Sequence, residues 1–210
     1  PKTVLVVGGG VAGMQAALTA AERGHRVILC EKEERLGGVL LCEEKVPFKR
    51  LLAGYLDYQT RMVSLAPIEV RLGMAVTPEL ATAVGADVIV AALGAAPAVP
   101  RIPGIDGPNV LGAEEAYYHP EKTGVGAGRV LILGGGLAGI ELAVYLSALG
   151  RTVTIMEMME TLSDGGNPMH GLALINEIER YGIAISTSTR AIGIGEEGVI
   201  GEYVGSAYTL

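Results

Sequence analysis

The 210-residue chain contains no tryptophan, one phenylalanine (Phe48) and two cysteines (Cys30 and Cys42). Without large aromatics, the core must be built from Val, Leu, Ile and Ala. The two cysteines stand twelve residues apart and form no C-x-x-C pair, which argues against a disulfide framework or a zinc site. A four-cysteine iron–sulfur cluster cannot be assembled from this chain alone. Cys30 ends an apolar run and reads as a buried thiol, whereas Cys42 falls in an expected loop. Basic excess is also missing: 16 Lys and Arg face 23 Asp and Glu, a formal net charge of −7. With no basic run, the chain is a poor candidate for binding nucleic acid or an anionic membrane.

The first apolar stretch, Val4 to Ala21, invites a reading as a signal peptide or membrane span. Gly8, Gly9, Gly10, Gly13 and Gln15 interrupt it and favour a strand, a tight turn and a helix instead. The chain begins at Pro1 rather than Met and reads as part of a longer gene product. What the sequence has in surplus is glycine, 31 of 210 residues, about twice the usual share of roughly 7%. No G-x-y period accompanies it, so a collagen-like chain is excluded. Half of the residues are hydrophobic, so the glycines do not form a disordered tract.

The glycines repeat in position. Val4–Leu36 and Val130–Leu162 align without a gap at an offset of 126 residues, and 13 of their 33 paired positions are identical. Each copy predicts strand, glycine turn, helix and strand. In the first, Val4–Val7 is the strand, the helix runs from Val11 to about Arg23, Gly24 caps it, and Val27–Cys30 follows. In the second, the strands are Val130–Leu133 and Val153–Met156, around a helix that ends near Leu149 and Gly150. Continuous apolar runs such as these suit parallel strands buried on both faces.

Both copies carry G-x-G-x-x-G after the strand and at the start of the helix: Gly8, Gly10 and Gly13, then Gly134, Gly136 and Gly139. That context is what dinucleotide binding requires. The first glycine makes the tight turn, the second lets a pyrophosphate approach the backbone, and the third lets helix and strand pack closely. The helix N-terminus supplies unpaired N–H donors and partial positive charge. An acidic residue follows eighteen residues after the third glycine, Glu31 and Glu157, placed to accept hydrogen bonds from ribose hydroxyls. A carboxylate there repels a 2′-phosphate, and no Arg stands beside Glu157, so NADH is expected over NADPH. The copies differ at Gly37-Gly38, whose counterparts are Ser163-Asp164. A glycine pair lets backbone approach a larger cofactor, which assigns FAD to the first copy and the nicotinamide nucleotide to the second.

Elsewhere, Pro47–Val63 reads as a helix, and Ile68–Leu72, Ala75–Val76 and Asp87–Leu93 as strands. Pro97–Pro108 reads as a crossing between domains, and Pro120–Gly128 as a second hinge candidate. Ile178–Thr187 and Val199–Val204 read as strands with the glycine-rich stretch Gly193–Gly198 between them. The expected division is 1–112, a hinge at 113–128, and 129–210. His25, His119 and His170 fall in expected loops and carry no assigned role. No catalytic side chain and no metal ligand is expected.

The order GGGVAG, EKEERLGG, DVIVAALGAAP, a Pro-rich segment and GGGLAGIELA resembles flavoproteins with two dinucleotide-binding domains, the pyridine nucleotide-disulfide oxidoreductase superfamily. EKEERLGG, YLDYQTRMV, VTPE and VPRIPGIDGPNV resemble more narrowly the C-terminal half of old-yellow-enzyme-like iron–sulfur flavoenzymes. These include 2,4-dienoyl-CoA reductase, 2-enoate reductase and trimethylamine dehydrogenase. The resemblance implies an α/β fold of two Rossmann-like βαβ domains with parallel sheets, the second inserted in the first and both incomplete at their C-terminal ends. It implies FAD, or ADP, at Gly8, Gly10, Val11, Ala12, Gly13, Glu31, Lys32, Gly37, Gly38, Val76, Ala92 and Gly94. It implies NAD(H) at Gly134, Gly136, Leu137, Ala138, Gly139, Glu141 and Glu157, with Glu141 meeting the nicotinamide carboxamide. The family's A-T-G signature reads Ala92-Leu93-Gly94 here, losing a hydroxyl. The implied activity is hydride transfer from NADH to FAD in the cytoplasm. It would feed an N-terminal FMN barrel with a 4Fe–4S cluster in the part of the parent enzyme outside this sequence. A non-catalytic ADP-holding module, as in trimethylamine dehydrogenase, and a stand-alone FAD reductase are the alternatives.

Overall fold

The computed structural model describes residues 1–124, 128–162 and 167–204. The chain divides into two compact units, Pro1–Pro97 and Ala98–Leu210. The division falls fifteen residues before the expected boundary at 112, and hydrogen bonds explain why. Ile194 N–H donates to Pro103 O at 2.8 Å, and the Asn109 amide donates to Gly195 O at 2.9 Å. The proline-rich stretch is therefore tied into the second unit.

The first unit is built on a parallel sheet of order β3-β2-β1-β4, with β1 Thr3–Val7, β2 Arg26–Cys30, β3 Ile68–Arg71 and β4 Val88–Ala91. Leu5, Val6, Val27, Ile28 and Leu29 are almost wholly buried, as apolar parallel strands covered on both faces should be. Helix α1, Val11–Glu22, lays its slim face of Gly13, Met14, Ala17 and Ala21 on the sheet. The expected helix at Pro47 starts as a 3-10 turn, Pro47–Lys49, and continues as α2, Arg50–Leu65, burying Leu56, Gln59 and Val63. Thr77 caps the short α3, Pro78–Val84, by accepting from Leu80 N–H. Ala75–Val76 is not a strand: the chain there is irregular, and Val76 packs against the Leu5–Ile28–Cys30 cluster. Cys42 is buried within a 3-10 turn, Gly38–Glu43, rather than placed in an open loop. Burial pushes the Cys30 thiol up, against a smaller opposing pull from Arg71.

In the second unit the parallel sheet has order β5-β6-β7, from β5 Arg129–Leu133, β6 Thr152–Met156 and β7 Ala184–Ser186. Helix α5, Leu137–Ala148, buries every residue from Ile140 to Leu146. The segment expected as a hinge carries α4, Ala113–Tyr118, and a 3-10 turn, Pro120–Lys122. Tyr117 of α4 is buried and stacks on Tyr145 with ring centroids 5.3 Å apart, so this part packs as core. Burial, with a further push from Glu121, raises the Tyr145 hydroxyl. Ile178, read as the start of a strand, lies instead on the buried face of α6, Pro168–Tyr181. That helix opens on the Asn167 cap and closes at Gly182. The glycine-rich stretch read as lying between strands is itself mostly strand: β8, Thr189–Gly195, and β9, Gly198–Tyr203, pair antiparallel as a hairpin with a bulge at Ala191/Gly193. No helix among the described residues is long and apolar enough to cross a membrane.

Candidate functional site

Each unit places its glycine turn at the carboxyl end of its first strand, where ligands bind in open parallel sheets. The two turns are nearly the same object. Gly8 and Gly134 adopt φ of +103° and +108°, a region that side chains with a Cβ avoid. Gly10 and Gly136 are the N-cap residues of α1 and α5, in extended conformation and without a side-chain cap. The first-turn N–H groups of both helices are thus left for an outside acceptor. A Cβ on Gly13 would collide with the carbonyl oxygen of Gly8, and one on Gly139 with that of Gly134. The third glycine therefore serves helix-to-strand approach, as the spacing predicts.

Room for a phosphate is a separate question. Among the described residues, a Cβ built on Gly136 meets nothing within 4 Å, and one on Gly10 meets only Gly38 Cα at 3.7 Å, an ordinary contact. Neither second glycine is there to avoid a clash within the described residues, which fits a pyrophosphate lying against the backbone.

The acidic residues take a more fixed position than ribose binding alone demands. Glu31 Oε2 accepts from Gly9 N–H at 2.5 Å, and Oε1 accepts from Glu33 N–H at 2.9 Å. Glu157 repeats this with Gly135 N–H at 2.6 Å and Met159 N–H at 2.8 Å. Each carboxylate thereby ties the end of the second strand to the glycine turn and is oriented before any ligand arrives. About four lone-pair directions exist on a carboxylate, so accepting two backbone bonds leaves capacity for ribose hydroxyls. Leu36 and Leu162, which the sequence reading did not single out, press their side chains against Gly9 and Gly135. Their identity in the repeat was the signal that could have found them.

Around the first turn the structure brings most of the expected residues together. Gly37 N–H donates to Gly9 O at 2.9 Å, and Gly37 bridges Gly10 as an isolated parallel pair. Gly38 lies against Gly10 closely enough that a Cβ would stand 2.9 Å from its Cα. Ala92 N–H donates to Val7 O at 2.8 Å, and its carbonyl closes over Gly8. Val11 is half-buried and Ala12 exposed on the first turn of α1. Lys32 points outward in a surface pair with Glu33 at 3.6 Å, and Gly94 adjoins the exposed Leu93. Val76 is half-buried and packs against Leu5, Ile28 and Cys30, two residues after Met74, whose N–H donates to Glu31 O at 2.8 Å.

In the second unit Leu137, Ala138, Gly139 and Glu141 follow one another along the start of α5. Ser163 and Asp164, the counterparts of Gly37-Gly38, lie outside the described residues. Glu141 is buried at 7% exposure, and its Oε1 lies 3.0 Å from His170 Nε2. No group of three His, Cys, Asp or Glu side chains that could hold a metal is found among the described residues.

Residues 2–206 match the family model described as pyridine nucleotide-disulphide oxidoreductase. The chain belongs to that family. It is 36% identical over 206 residues to an NADH oxidase of Thermoanaerobacter brockii, covering 94% of this chain and 31% of that protein. It is 35% identical over 201 residues to a bilirubin reductase of Mediterraneibacter gnavus (strain CC55_001C), covering 96% and 31%. Among solved structures it superposes on 2-naphthoyl-CoA reductase in complex with 2-naphthoyl-CoA with a TM-score of 0.90. That pair shares 29% identity over 98% of this chain and 31% of the other. The chain therefore spans about a third of the length of these relatives. Fold and family agree with two Rossmann-like, parallel-sheet nucleotide-binding units of an oxidoreductase.

Proposed function

We propose that this chain is the dinucleotide-binding portion of an NADH-dependent flavin oxidoreductase. The first unit binds FAD through Gly8, Gly10, Val11, Ala12, Gly13, Glu31, Lys32, Gly37, Gly38, Val76, Ala92 and Gly94. The second binds NAD(H) through Gly134, Gly136, Leu137, Ala138, Gly139, Glu141 and Glu157. The observation that carries this reading is the recurrence of one device: an open glycine turn at a helix N-terminus, locked to a carboxylate by a backbone N–H at 2.5 Å and 2.6 Å. Two such devices in one chain suit a reaction between two dinucleotides.

Bound at these turns, the two dinucleotides would supply the hydride chemistry, so the protein would need no nucleophile of its own. Its residues bind and orient. The α1 and α5 N-termini neutralise pyrophosphate charge, and Glu31 and Glu157 fix the ribose ends. Gly37-Gly38 admits the longer cofactor on the first turn, and the uncompensated carboxylate of Glu157 disfavours a 2′-phosphate. Onward electron transfer to an FMN barrel and a 4Fe–4S cluster belongs to the rest of the parent enzyme, and supports the reading only through the resemblance. A cytoplasmic setting is part of the same proposal.

The test is anaerobic titration of the FAD-loaded chain with NADH. Bleaching of the flavin band is expected. A chain that takes up ADP but no flavin, with no spectral response to NADH, would favour the second reading, a non-catalytic ADP-holding module. Leu93 in place of the family's Thr, 73% exposed, is the feature on that side.

A further inference from the structure

Glu141 is the buried acid that the glycine turns do not explain. It sits in a helix that is apolar almost all round, LAGIELAVYLSA, and burying a carboxylate is costly unless it is paired. Its partner comes from the next helix. His170 is the third residue of α6, and its backbone N–H is already held by the Asn167 cap at 3.2 Å. Its Nε2 lies 3.0 Å from Glu141 Oε1, and because a carboxylate only accepts, the imidazole is the donor. His170 keeps 39% of its side chain exposed while Glu141 keeps 9%.

Topology gives this pair its meaning. Strands β5, β6 and β7 are parallel, so α5 and α6 both start at the carboxyl end of the sheet, the ligand side. Glu141 is the fifth residue of α5, about 6 Å along the axis from its first residue at a rise of 1.5 Å per residue. The His170–Glu141 bond therefore ties together the two helix starts that flank the second glycine turn. The first unit offers an internal control. Gln15 aligns with Glu141, is exposed, and accepts from Gln59 of α2 at 3.4 Å. Gln59 is the tenth residue of its helix, and both members of that pair are uncharged. Only the second unit carries an ionisable pair at this place.

We propose that His170 is a positioning residue of the second dinucleotide site. It donates to Glu141 and holds that carboxylate in the one orientation that receives the nicotinamide end of the nucleotide. The inference rests on the reading of the second unit as the nicotinamide nucleotide site.

The test is NADH titrated into the full chain, followed by nicotinamide fluorescence, with ADP as competitor. His170→Ala is expected to raise the NADH dissociation constant about ten- to a hundredfold, the size of a lost hydrogen bond to a charged group. His170→Gln, whose amide N–H can replace Nε2–H, is expected to stay within about threefold of the parent. ADP, which lacks nicotinamide, is expected to compete equally well in all three proteins. Glu141→Ala, which removes the acceptor, combined with H170A is expected to bind no worse than Glu141→Ala alone, since a shared bond is lost only once. Parental affinity in H170A overturns the proposal. So does H170Q as weak as H170A, an equal loss for ADP, or additive losses in the double variant. If H170A fails to fold, as read by circular dichroism, H170Q and Glu141→Ala decide. A parent chain that takes no NADH instead defeats the function reading, before any variant is made.

Discussion

The two units use the same turn but close it differently. In the first, β4 pairs with β1, and the Ala92 carbonyl that follows β4 covers Gly8. In the second, among the described residues, a Cβ on Gly134 would meet nothing within 4 Å, and β5 pairs only with β6. The first turn is also overlaid by Gly37-Gly38, whereas the second carries the His170–Glu141 bond beside it. Among the described residues, one fingerprint thus stands in two different surroundings. What distinguishes them is the chain that returns to each turn, not the turn itself.

The largest expected effect is one the units share. Gly13→Ala and Gly139→Ala each drive a Cβ into a backbone carbonyl, which can yield only if helix and strand separate. Each is expected to destabilise its unit by about 2–4 kcal/mol, the range of severe packing errors, measured by urea unfolding. Gly136→Ala meets nothing among the described residues and is expected to leave the unfolding midpoint in place while weakening NADH. If G139A and G136A behave alike, the division of labour among the three glycines is wrong.

The next prediction separates the units. Gly8→Ala and Gly134→Ala both impose an unfavourable positive φ, costing about 1–3 kcal/mol. Only Gly8→Ala also meets a neighbour, the Ala92 carbonyl. It is therefore expected to cost at least about 1 kcal/mol more than Gly134→Ala by the same measurement. Equal costs would mean that the two turns are equally enclosed.

A smaller effect bears on cofactor choice in the second unit. Glu157→Gln removes the charge that opposes a 2′-phosphate, while its amide oxygen can still accept one backbone N–H. The ratio of NADPH to NADH dissociation constants is expected to fall about tenfold, which corresponds to ~1.4 kcal/mol. An unchanged ratio would remove Glu157 as the determinant of NADH over NADPH.

Much of this was legible in the sequence because it is local. The strand, glycine turn, helix and acid lie within 33 residues, and the repeat supplied its own confirmation. Element ends moved by one residue or so, since fraying at strand and helix ends depends on neighbours. Ile178 was misread because an apolar residue in the last turn of a helix looks like the start of a strand until α5 is seen to bury it. The proline-rich stretch looked like a linker because proline and glycine mark turns locally. Its bonds to the β8–β9 hairpin cross some ninety residues and leave no local mark. The same holds for His170 and Glu141, twenty-nine residues apart and joined only by how two helices pack.

The smallest effect tests whether helix-to-helix polar pairs mean the same thing in both units. Gln59 is 5% exposed on the core face of α2. Its Nε2 donates to Tyr55 at 3.2 Å and weakly to Gln15 at 3.4 Å, while its Oε1 has no partner among the described residues. An orphaned buried acceptor carries a desolvation cost, and both partners of Nε2 reach water when released. Gln59→Met, similar in volume and fully apolar, is therefore expected to raise stability by about 0.5–1 kcal/mol in urea unfolding. The same logic predicts no gain from His170→Met, because the buried Glu141 carboxylate would lose the Nε2–H donor of His170. If both substitutions stabilise, the His170–Glu141 pair is merely a tolerated polar contact. If only Gln59→Met does, polarity between helices is dispensable in the first unit and needed in the second, beside the turn assigned to the nicotinamide nucleotide.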